Sequence, residues 1–161
     1  MNLRLHDHLL TRDHTLASLS HSLRLWTDSC AEEDREGRLI LAWANLGILV
    51  ESMMTWFLCV FERDYAKQPM KTRTGFDLRP NRLRFEEICR FFSEHVWIDS
   101  QRAKWGDWLA KVRNFRNAVH AFNHKDIGNW NDWQDAVVRY HEFISELDGL
   151  VPCSDASDYY S

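Results

Sequence analysis

The chain has 161 residues and a formal net charge of −4 at pH 7, with 24 acidic against 20 basic side chains. A hydrophobic fraction of 45%, including 13% aromatics, supplies the core of one domain, and only 6 glycines and 3 prolines weigh against a turn-rich β fold. The acidic balance excludes a protein that coats nucleic acid indiscriminately. Cys30, Cys59, Cys89 and Cys153, far apart and without CxxC or Cys/His pairing, argue against a zinc site and read as reduced thiols of a cytoplasmic protein.

In chain order, residues 3–29 carry Leu9, Leu10, Leu16, Leu19, Leu23, Leu25 and Trp26, either as one helix broken near Thr11–Thr15 or as two short ones. The polar start, with Arg4, Asp7 and Arg12, is unlike a signal peptide, and His6, His8 and His14 read as solvated side chains rather than metal ligands. No metal or cofactor is expected. Ala31–Glu36 is acidic, which suits the first turn of a helix, where carboxylates meet the positive end of the dipole.

From Leu39 to Phe61 nearly every residue is apolar, long enough to span a bilayer. Asn45, Glu51, Ser52 and Thr55 oppose that reading, since a carboxylate near mid-span costs about 2.5 kcal/mol or more. The run is expected instead as a helix surrounded by others, with no membrane partner. Glu51 then either meets a cation, for which an arginine of the helix at 100–122 would serve, or reaches solvent at the helix edge.

Ala66–Arg79 is the clearest loop, with Pro69, Gly75 and the cations Lys67, Lys71, Arg73 and Arg79. At that length it is either functional or mobile, and Lys71 and Arg73 are candidate binding residues. Pro80 suits the start of a helix whose apolar face is Leu83, Phe85, Ile88, Cys89, Phe91, Phe92 and Val96. Asp99-Ser100 can cap the next helix, which is expected to run to about Phe122. A turn at Lys125–Asn129 precedes a last helix with Trp133, Val137, Tyr140, Phe143, Ile144 and Leu147 at helical spacing. It should stop near Gly149 and Pro152, leaving 153–161 as a disordered tail. The expectation is an all-α, single-domain antiparallel helical bundle of four to six helices over residues 1–152.

The most informative stretch is Val112-Arg113-Asn114-Phe115-Arg116-Asn117-Ala118-Val119-His120-Ala121-Phe122. On a regular helix His120 falls about 20° from Arg113, Asn117 about 40° and Arg116 roughly 60°, with His124 returning to about 20°. Trp105, Trp108, Val112, Phe115, Val119 and Phe122 lie on the other side, so the basic stripe is expected to face away from the core. Arginine donates two hydrogen bonds from a planar, permanently charged fork, which suits a phosphate. Histidine, with an ordinary pKa of about 6.5, suits proton transfer near neutral pH.

This stretch resembles the Arg-x4-6-His signature of the HEPN superfamily. Arg113 and His120 are separated by six residues, at the upper limit of the pattern, whereas Arg116 and His120 are separated by three and fall outside it. Asn114 and Asn117 stand where the family often has a polar residue after the arginine. The resemblance implies an all-helical domain whose arginine and histidine face a cleft between two subunits, and, in many members, metal-independent ribonuclease activity. Arg113, Arg116, Asn117 and His120 are then the candidate catalytic residues, with Asn114, His124 and Glu51 as binding or supporting groups. RNA, a second copy of the chain and a neutralising antitoxin, for instance a nucleotidyltransferase-like protein, are the implied partners. A non-catalytic RNA- or nucleotide-binding module, or a helical interaction or immunity protein using the stripe for salt bridges, fits the same residues. Trp130 and Trp133 are the tryptophans placed to stack on a base if they do not pack in the core.

Overall fold

The structure, a computed structural model, describes residues 15–28, 30–120 and 126–151. His6, His8, His14, His124, Cys153 and the tail lie outside those residues. Helix α1 is described over residues 15–22 and passes into a 3-10 turn at Leu23–Trp26. Then come a 3-10 turn at Glu32–Asp34, α2 at Arg35–Val60, α3 at Glu62–Tyr65, a 3-10 turn at Pro80–Arg82 and α4 at Phe85–Phe91. A π-helical turn at Phe92–Val96 continues α4; α5 spans Asp99–Arg116, a 3-10 turn Asn117–His120, and α6 Trp130–Gly149. No strand occurs among the described residues, where Lys71 and Asp77 form one isolated antiparallel bridge. The protein is an all-α helical bundle.

The apolar run reads out as α2, the axis on which α5, α6 and α4 pack. Its Trp43, Leu46, Leu49, Val50 and Met54 are completely buried. By length and composition α2 is able to cross a membrane, yet half of its most apolar window is enclosed by the bundle. Asn45 is buried with its amide donating to the Ser22 hydroxyl at 2.7 Å, which ties α1 to α2.

Helices α5 and α6 run antiparallel, because Lys104 pairs with Glu146 and Lys111 with Asp132, each at 2.8 Å. Between them Trp105 and Trp108 pack on Phe143 with ring centroids 5.1 and 5.3 Å away. Trp133 is only 2% exposed, so it belongs to the core and is not free to stack on a base. Trp130, half-buried, meets its ring edge-on at 5.7 Å.

Helix α5 is shorter than its sequence pattern implies. At Arg116 the chain tightens into the 3-10 turn, which advances about 120° per residue instead of 100°. The tightening brings Ala118 against the core and turns Val119, expected inside, out to 44% exposure. Pro80 likewise opens a 3-10 turn rather than α4 itself, which begins at Phe85.

Candidate functional site

The end of α5 is fastened to α2 through Arg116. A Cβ added at Gly47 would lie 2.6 Å from the Arg116 Cβ and 2.8 Å from its Cγ and Cδ. The arginine stem therefore lies directly on the bare backbone of α2 at Gly47. One helical turn on, its guanidinium reaches the Glu51 carboxylate at 2.7 Å, with side-chain exposures of 28% and 22%. The start of α4 closes the arrangement: the Phe85 ring sits 5.7 Å from the guanidinium carbon, and its backbone N–H donates to Glu51. Burial pushes the Glu51 carboxyl above its ordinary 4.5, against the opposing pull of Arg116 and the Phe85 N–H.

Of the two outcomes open to Glu51, the structure gives the cation. It also corrects the placement of the basic stripe, which does not stand wholly in the open. Arg113 is half-buried, and its positive charge acts on the thiol of half-buried Cys89 in α4. Burial dominates there, and the Cys89 thiol is raised to about 12, which leaves it unreactive as a nucleophile. No carboxylate pairs with Arg113 among the described residues. Asn114, Asn117 and His120 are exposed, the last two on the 3-10 turn that packs on α2.

Lys71 and Arg73 belong elsewhere, to a hairpin between α3 and α4, where Lys71 faces Asp77 at 3.9 Å. The chain brings together Glu51 and Arg116, with Arg113 acting on the same Cys89 thiol as Glu51, and Asn117 and His120 follow on the 3-10 turn against α2; Lys71 and Arg73 form a second basic region. Gly47 and Phe85 complete the surroundings of Arg116, though neither stands out in the sequence as a candidate site residue. Gly47 carried a signal, since a glycine inside an apolar helix marks a close approach by another group. Phe85 carried none beyond its place on an apolar face.

Fold and site define an all-α bundle with a half-buried arginine–glutamate pair at its centre and an exposed histidine one turn beyond. No known family's model, curated protein or solved structure matches the chain.

Proposed function

We propose that this protein is a HEPN-like, metal-independent RNA endonuclease of the cytoplasm, working as a homodimer and leaving a 2′,3′-cyclic phosphate. The observation that carries this reading is the Arg116–Glu51 pair lodged over Gly47. It holds the end of α5 to the central helix, while Arg113, one turn before Arg116, pairs with no carboxylate among the described residues. Arg113 then contributes two N–H groups to the non-bridging oxygens of the phosphorane, where negative charge grows as the 2′-oxygen attacks. His120, exposed and on the same segment, takes the proton of the 2′-hydroxyl as it attacks, which leaves the departing 5′-oxygen to be protonated by another group. Asn117 beside it orients the imidazole or the ribose. Arg116 is a positioning residue in this scheme, because Glu51 already occupies it.

The reaction needs a second proton handler, and a second subunit supplies one. Leu41 and Ile48, one face of α2, are 51% and 38% exposed, and Val119 on the neighbouring 3-10 turn is 44% exposed. An apolar strip alongside an arginine–histidine segment suits a two-fold interface that brings two such segments face to face.

The test is cleavage of a mixed RNA pool in EDTA by wild type, Arg113→Ala and His120→Ala, each verified as folded by circular dichroism. The proposal expects EDTA-resistant cleavage that falls by about 100-fold or more in either variant. Absence of cleavage by the folded wild-type protein would overturn it. RNA binding without cleavage, weakened by Arg113→Ala, would establish the non-catalytic module instead.

A further inference from the structure

The hairpin between α3 and α4 is firmly built. Thr72 N–H donates to the Phe76 carbonyl at 2.8 Å and Leu78 N–H to the Met70 carbonyl at 2.8 Å. Gly75 closes the turn at a φ of 87°, in the left-handed region that favours glycine, and its N–H donates to the Thr72 carbonyl at 3.0 Å. The Thr72 hydroxyl accepts from Phe76 N–H at 3.0 Å. At the base the hydroxyl of buried Tyr65 donates to the Leu78 carbonyl at 2.7 Å and accepts from Met70 N–H at 3.2 Å.

This rigid turn holds Phe76 in water. At 73% exposure it is more open than any other large apolar side chain described, although burying such a ring is worth about 1.5–3 kcal/mol. Four exposed arginines accompany it: Arg73 on the turn, then Arg79, Arg82 and Arg84 along the chain that leads to Phe85. None of the four has an ion-pair partner among the described residues. The chain that carries them leads into Phe85, whose buried ring lies 5.7 Å from the Arg116 guanidinium carbon.

We propose that this hairpin selects unpaired RNA: Phe76 stacks on a nucleobase of a single-stranded segment, and Arg73, Arg79, Arg82 and Arg84 hold the phosphates between that base and the point of cleavage. The proposal rests on the ribonuclease reading above. A nucleobase offers a flat π face to an exposed ring only when it is not enclosed in a duplex. Cations recurring along one stretch of chain match a polymer with one charge per nucleotide better than an acidic protein patch. A lone ring among arginines offers little apolar area to a bilayer.

The experiment measures fluorescence anisotropy of a labelled single-stranded 2′-O-methyl oligonucleotide, which cannot cyclise, and of its duplex. It uses the full chain and its Phe76→Ala, Phe76→Trp and Arg73→Ala variants, with melting curves to verify folding. The proposal expects Phe76→Ala to weaken single-strand binding about tenfold or more with duplex binding unchanged, and Phe76→Trp to restore it. Arg73→Ala should flatten the salt dependence. Single-strand binding by Phe76→Ala within about twofold of wild type would overturn the hairpin assignment, whereas cleavage lost only in His120→Ala would leave the ribonuclease reading standing. Loss of binding to phosphatidylserine vesicles in place of RNA would overturn it in favour of a membrane. Wild type that neither binds nor cleaves RNA would overturn both readings together.

Discussion

Gly47 and Gly106 are both helical glycines, yet alanine should act on them with opposite sign. Gly106, in α5, has nothing within 4 Å of its would-be Cβ. Alanine there removes chain entropy from the unfolded state, and Gly106→Ala should stabilise by about 0.5–1 kcal/mol. At Gly47 the same gain is outweighed, because the new methyl meets the Arg116 Cβ, which is too near its backbone to swing away. Overpacking of this kind costs about 1–3 kcal/mol, so Gly47→Ala should lower stability in urea titration. Equal stabilisation of both variants would contradict the packing of Arg116. Glu51 shows what was legible at this scale: a carboxylate inside an apolar run announced either a cation or an edge, and only tertiary packing decided between them.

Glu51 also predicts a pH dependence. Its folded-state carboxyl is raised above 4.5, mainly by burial, so the folded chain holds that proton more tightly than the unfolded chain does. This contribution to stability is fully present below the unfolded value and is lost as pH rises through the raised one. Unfolding free energies of wild type minus Glu51→Gln, measured from pH 4 upward, should therefore fall across that window. A rising difference would contradict the assignment. The pair is thus better suited to placing Arg116 than to stabilising the fold.

Among the elements, α6 was the most legible and α5 the least. The turn before α6 becomes its cap: the Asn129 side chain accepts from Asn131 N–H at 2.8 Å and Asp132 N–H at 3.3 Å. Asp132 in return accepts from the Asn129 N–H at 3.0 Å. Asn129→Ala should cost about 1 kcal/mol, read as a lower melting temperature; an unchanged value would contradict the cap. Hydrophobic periodicity carried both helices, because burial on one face is a local pattern. The tightening of α5 after Arg116 is not local. Ala118 is drawn onto α2 and Val119 is turned outward, a trade set by a helix some seventy residues earlier in the chain. The loop at 66–79 showed its cations and its turn glycine in sequence, but the Tyr65 anchor that stiffens it is a contact no spacing rule supplies.

For the whole molecule, the all-α bundle followed from composition, few glycines and prolines, and the long apolar run that became α2. The candidate site was less legible. The sequence singled out the arginine–histidine segment, whereas only the packing of α2, α4 and α5 shows that Arg116 of that segment pairs with Glu51. The proposed homodimer belongs to this scale as well. Light scattering should give twice the chain mass of 19.2 kDa for wild type, and the double variant Leu41→Glu, Ile48→Glu should be a folded monomer with little cleavage. A wild-type monomer that cleaves at full rate would remove the two-fold cleft from the mechanism.

The most direct measurement of the central claim is end-group analysis of RNA treated in EDTA with wild-type protein and with His120→Ala. The proposed mechanism requires fragments ending in 2′,3′-cyclic phosphate from wild type and little or no cleavage by His120→Ala. Fragments with 3′-hydroxyl ends, or equal cleavage by both proteins, would contradict it.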